Sequence, residues 1–164
     1  MAEQSKDSSP GPLPRRVVTG NASDGTSKIL YDDQGGNILN LESGGKFHSP
    51  WWTDSVPADC STATYEDPTG HRDFFVSNKG SVATFVWVPP NAAVTIHTTK
   101  SMDYGLILEG EIKLELENGD KTVLKAGDLV IQRETNHAWY SRHLTQWVEI
   151  FFVLVASTNA VNDA

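Results

Sequence analysis

From residue 16 onward the chain is a series of short apolar runs cut by turn residues, and nowhere does it sustain the spacing of an amphipathic helix. Residues 16–19 and 28–31 read as short strands divided by Gly20-Asn21 and Asp24-Gly25. Residues 37–41 lie between Gly35-Gly36 and Gly44-Gly45 as a third candidate. Residues 47–60, with Trp51-Trp52 and two prolines, read as an aromatic loop or irregular strand. The second half is more regular. Residues 81–88 are β-branched and aromatic and stop at Pro89-Pro90, and 93–97, 104–108 and 111–117 follow. In 111–117, Ile and Leu alternate with Lys and Glu, the pattern of a half-buried antiparallel strand. Asn118-Gly119 suits a two-residue type I′ hairpin turn. Residues 121–124, 129–132, 137–140 and 147–155 complete the set. Short strands at near-even spacing, with glycine at the turns, predict an all-β fold: a single antiparallel β-barrel or jelly roll over residues 15–160. Residues 1–14 are rich in Ser, Pro and charge and predict a disordered tail.

Composition narrows the function. The 164 residues carry a formal net charge of −8, which argues against nucleic acid as a partner, since phosphate binding needs a basic surface. No run reaches the length that spans a bilayer, and no signal peptide is recognisable, so no membrane association and a cytoplasmic protein are expected. With Cys60 alone there is no disulfide framework, and its polar surroundings offer no cation to activate the thiol.

The candidate chemistry lies in the second half. His97-Thr98-Thr99-Lys100-Ser101-Met102-Asp103, running through Tyr104 to Glu109-Gly110, resembles the first motif of the cupin superfamily, in which a His-X-His pair precedes a Glu and then a Gly. His97 takes the first His position, Thr99 stands at the second, Asp103 at the Glu and Gly110 at the Gly. Gly127-Asp128 through Gln132 to Thr135-Asn136-His137-Ala138-Trp139 resembles the second motif with its closing His; Arg133, Glu134 and Ser141 stand where that motif carries Pro, Gly and Asn. The wording is similar to that of small single-domain cupin-2-like proteins of fungal and bacterial type. The resemblance implies a barrel with its site inside, built on His97, Asp103 and His137, and a homodimer.

Strand alternation supports such a pocket on its own terms. Asp103, Gly105 and Ile107 share one face and Tyr104, Leu106 and Leu108 the other, while His137 and Trp139 point the same way. If the Asp103 face is the interior, two imidazoles and a carboxylate converge there. They could hold one divalent ion, Fe, Zn or Mn, with His97, Asp103 and His137 as ligands. Equally, they form a metal-free set able to do acid–base chemistry. Trp51, Trp52, Trp139, Gln132 and Arg133 are the substrate-binding candidates: Trp51-Trp52 could close a barrel mouth, and of Gln132 and Arg133 one faces inward, Arg133 being suited to a carboxylate. His48, His71 and His143 have no spacing partner and read as surface or structural residues. The expected function is a lyase or isomerase acting on a small secondary metabolite by decarboxylation, dehydration or cyclisation. A non-heme iron dioxygenase and a non-catalytic ligand-binding barrel are the alternatives.

Overall fold

The computed structural model describes residues 10–61, 67–69 and 79–158; residues 1–9 of the expected tail, with His71, lie outside the described residues. The described chain forms twelve strands and no helix. In the first half these are β1 (Arg16–Asn21), β2 (Ser27–Asp33), β3 (Asn37–Asn40), β4 (Lys46–Thr53) and β5 (Ser81–Val88). The second half adds β6 (Ala93–His97), β7 (Ser101–Glu109), β8 (Glu111–Leu116), β9 (Lys121–Lys125), β10 (Leu129–Arg133), β11 (His137–Tyr140) and β12 (Val148–Ala156). Residues 10–15 are irregular, and Gln34 Nε2 donates to the Leu13 carbonyl at 2.7 Å.

Every pairing is antiparallel. A six-stranded sheet runs β10-β7-β12-β5-β4-β3, a four-stranded sheet runs β6-β11-β8-β9, and β1 and β2 form a separate hairpin. The core joins the two larger sheets: Val86, Ile107, Ile150 and Phe152 from the first pack with Ile112, Leu114 and Trp139 from the second. This is the two-layer jelly roll expected, because each sheet is apolar on one face and must cover it. Alternation in β7 follows the sequence, with Asp103 and Ile107 buried and Tyr104, Leu106 and Leu108 exposed. The turn from β7 to β8 needs Gly110: its φ is +84°, and a Cβ there would sit 2.9 Å from the Trp147 carbonyl oxygen.

Two expectations are refined. Residues 46–53 form a true strand, and its Pro50 sits at a β-bulge between His48 and Trp51, where a missing N–H does least harm to the ladder. The hairpin after β8 is not type I′, because Gly119 is left-handed at +87° but Asn118 is not. Asn118 instead accepts the Asp120 N–H through Oδ1 at 3.0 Å, which suits an ordinary turn closed by a left-handed glycine. The β1–β2 hairpin, which pairs with no other strand among the described residues, is tied to the body by Arg16. This buried guanidinium meets Asp33 at 2.8 Å, Asp67 at 2.7 Å and the Pro50 carbonyl at 3.2 Å.

Candidate functional site

Between the two sheets lies a cavity of about 340 Å³. Its walls are apolar and aromatic, with Phe47, Val86, Val94, Trp139, Ile150 and Phe152 among them, and His97, Thr99, Asp103, Gln132 and His137 supply its polar side. Trp139 meets both His137 and Phe152 edge-on, at centroid distances of 5.9 and 6.3 Å.

The strands bring these polar side chains together by register. Asp103 and Gln132 are directly paired across β7 and β10, and His97 and His137 across β6 and β11. The histidine pair depends on a bulge. Trp139 pairs with Val94 and His137 with His97, so β6 spends one residue more than β11 between the two pairs. Plain alternation from Val94 would turn Ile96 inward and His97 outward. The bulge leaves Ile96 exposed and sets the two imidazole centroids 4.4 Å apart.

Hydrogen bonding fixes the protonation pattern. His137 Nδ1 lies 2.8 Å from the Thr135 carbonyl and His97 Nδ1 lies 2.9 Å from the Thr95 carbonyl. A carbonyl can only accept, so each Nδ1 carries a proton, and a ring in its neutral form keeps its lone pair on Nε2. The Gln132 amide donates one hydrogen to Asp103 Oδ2 and the other to His137 Nε2, both at 3.2 Å. Ser101 donates to Asp103 Oδ1. Burial pushes the Asp103 carboxyl above its ordinary range, opposed by those hydrogen bonds, and burial pushes His137 below its ordinary value, helped by the nearby His97. The resting set is therefore a neutral His137 beside an acid that gives up its proton less readily than usual.

The structure gathers His97, Asp103, His137, Gln132 and Trp139 at one cavity. It does not gather Arg133, Trp51 or Trp52 there. Arg133 follows inward-facing Gln132 on β10, so alternation places it outside, where it is exposed. Trp51 looks onto the outer groove shared with Phe85 and Phe151. Trp52 pairs with Val82 on the inner face, but its indole is buried and donates to Asp54 at 2.9 Å, so the two tryptophans form no mouth. Lys100 is exposed in the β6–β7 loop, and Cys60 is an exposed free thiol. His48 is fully buried with Nε2 3.1 Å from the Gly35 carbonyl, and His143 accepts the Gln146 N–H at 2.9 Å; both hold backbone. Sequence reasoning missed Phe47, Thr84, Ile150, Phe152 and Leu154 as cavity walls. In β12, where nearly every residue is apolar, composition gives no sign of which face turns inward.

No protein-family model matches the chain. Phomopsin biosynthesis cluster protein D of Diaporthe leptostromiformis is 32% identical over 157 residues, covering 92% of this chain and 82% of that protein. The cupin-domain-containing oxidoreductase fogC of Aspergillus ruber is 30% identical over 131 residues, covering 76% of this chain and 62% of that protein. Among solved structures, the cupin domain of Schizosaccharomyces pombe Cnp3 superposes with a TM-score of 0.54 at 12% identity, over 90% of this chain and 98% of that one. This chain belongs to the cupin superfamily. With relatives in biosynthesis clusters, this cupin has a small-molecule role, as an enzyme or as a ligand-binding module. No helix among the described residues is long and apolar enough to cross a membrane.

The barrel retains the shape of the second cupin motif where its letters differ. Glu134, at the motif's Gly position, adopts a left-handed φ of +53° and accepts the Ser157 hydroxyl at 2.7 Å. The donor set for a metal is another matter. Among the described residues no three His, Cys, Asp or Glu side chains are grouped to hold an ion. Asp103 is engaged by Ser101 and Gln132, and the His137 lone pair by Gln132, which leaves His97 Nε2 as the one unengaged nitrogen of the pair. As arranged, Gln132 links His137 to Asp103 in a hydrogen-bonded relay with His97 beside it, and the three side chains do not fit a three-ligand metal site.

Proposed function

We propose that this cupin is an acid–base lyase or isomerase acting on a small secondary metabolite held between the two sheets. The observation that carries the reading is the pair of imidazoles, 4.4 Å apart and each donating its Nδ1–H to a backbone carbonyl, beside the Gln132–Asp103 hydrogen bond at the polar side of an otherwise apolar cavity. His97 Nε2, with its lone pair unengaged and its ring at the cavity's exposed edge, is the base that removes a substrate proton. Its Nδ1–H, held by the Thr95 carbonyl, stabilises the imidazolium that results. His137, kept neutral by burial and oriented by Thr135 and Gln132, positions the second face of the substrate. Asp103 lies behind Gln132 and offsets positive charge gained by the histidine pair. The apolar walls exclude bulk water, so a carbanionic or enolic intermediate would be protonated by the site and not by solvent.

A second reading, an oxidoreductase, is favoured by one observation, the designation carried by the Aspergillus ruber relative. One experiment separates them. Purified protein is incubated, under argon and in air, with a panel of aromatic and enolisable metabolites, and products are separated by liquid chromatography and weighed by mass spectrometry. The acid–base reading expects isomers or loss of water under both atmospheres, abolished in His97→Ala. Addition of oxygen atoms, or loss of two hydrogens, seen only in air would replace it with the oxidoreductase reading.

A further inference from the structure

We propose that the cavity selects a ligand that is not an anion and that donates a hydrogen bond, an O–H or N–H on a flat apolar body, and that Gln132 is the residue that reads this donor. The inference rests on the cavity being the small-molecule site, but not on the reaction assigned to it.

The orientation of the Gln132 amide follows from its neighbours. His137 must keep its proton on Nδ1 to satisfy the Thr135 carbonyl, so His137 Nε2 can only accept. The Asp103 carboxylate oxygen on the other side is also an acceptor. Both amide hydrogens are therefore committed, one to each, and turning the amide over would set oxygen against two lone pairs. Gln132 Oε1 is left buried without a hydrogen-bond partner, on a residue 5% exposed that lines the cavity. A buried carbonyl without a donor is uncommon in a folded protein and is costly to keep. A ligand O–H or N–H seated against Gln132 supplies the missing donor.

The rest of the polar side agrees. His97 Nε2 is an acceptor, and Asp103 contributes a buried acid. Among the described residues lining the cavity there is no lysine or arginine, and Arg133 faces outward. A carboxylate or phosphate would enter beside the Asp103 acid with no lysine or arginine to meet it, at a steep desolvation cost. This withdraws the role expected of Arg133 as a carboxylate clamp. It also disfavours decarboxylation of a carboxylate anion within the lyase class. Trp139, Phe152 and Phe47 offer aromatic surfaces on which a flat ligand can lie.

The test compares three ligands of one body: 2-naphthol, 2-methoxynaphthalene and 2-naphthoate, titrated calorimetrically into the intact protein and into Gln132→Met. The parent is expected to bind 2-naphthol at least about tenfold more tightly than either of the others. In Gln132→Met, which keeps side-chain length and removes the amide, the naphthol-to-ether ratio is expected to fall to about twofold or less. If Gln132→Met does not fold, Gln132→Asn serves in its place. It retains an amide but withdraws its oxygen, and a loss of at least about fivefold in the same ratio is expected. Tighter binding of naphthoate than of naphthol would overturn the charge selection. Unchanged discrimination in the folded variant would overturn the role of Gln132, and no binding by any of the three would overturn both. No turnover enters these readings. A His97→Ala protein that still converts substrate would sink the acid–base mechanism and leave this selectivity standing.

Discussion

Gly105 lies in the middle of β7, directly opposite Phe152 on β12, and both residues face the interior. Its φ is not left-handed, so alanine meets no backbone objection there. The objection is steric. An added Cβ would lie 2.4 Å from Phe152 Cε1, 2.8 Å from Cδ1 and 2.9 Å from Val130 Cγ1. Gly105→Ala must therefore turn the Phe152 ring into the cavity or part β7 from β12. Overpacking of this kind costs about 1–3 kcal/mol, and the stiffer unfolded chain returns about 0.5–1 kcal/mol, leaving a net loss of about 0.5–2 kcal/mol. For a domain of this size each kcal/mol corresponds to about 2–4 °C, so Tm is expected to fall by about 1–8 °C in calorimetric or circular-dichroism melts. A double-mutant cycle isolates the cause. In a Phe152→Leu background the methyl finds room, and the cost of Gly105→Ala should shrink by at least about 0.5 kcal/mol. A Gly105→Ala protein as stable as its parent, or an equal cost in both backgrounds, would refute the claim that this glycine exists to admit the ring.

Replacing Arg16 with Leu should free the β1–β2 hairpin without collapsing the barrel. Hydrogen exchange at Val18 and Ile29 is expected to quicken by at least about tenfold while β7 and β12 stay protected; equal acceleration everywhere would show that Arg16 supports the whole fold. Burial lowers both His48 and His137 from 6.5, so between their folded values and 6.5 the unfolded chain binds more protons. Stability should be greatest above that window and decline as pH falls through it. Asp103 and Glu149, raised by burial, work with the opposite sign at more acidic pH, where their held protons favour the folded state. Melts between about pH 5 and about pH 8 should show a shallower slope in His48→Gln, and an unchanged slope would count against His48. At Glu134, with its φ of +53°, valine is expected to cost about 1–2 kcal/mol, while glycine stays within about 0.5 kcal/mol of the parent because relief of strain offsets the lost Ser157 bond. Equal effects of valine and glycine in urea unfolding would refute that backbone reading.

Much of the fold was legible in the chain. β5, β6 and β11 have the bounds that composition and turn residues mark out, and the alternation of β7 sorted Asp103 and Ile107 from Tyr104 and Leu106. These are local properties: side chains alternate along any strand, and Gly or Pro ends one whatever lies across the sheet. The motif spacing likewise marked His97, Asp103 and His137 before any contact was known. What the chain could not show is what depends on a neighbouring strand. The inward aim of His97 comes from a bulge set by pairing with β11, since its own alternation with Val94 points it outward. The relay from His137 through Gln132 to Asp103 comes from the β7–β10 register. The outward turn of Trp51 and the choice of inner face in apolar β12 were settled the same way. Sequence fixes which residues can take part within a few positions of one another; only closure of the two sheets decides which of them meet, because register and bulges are properties of pairs of strands.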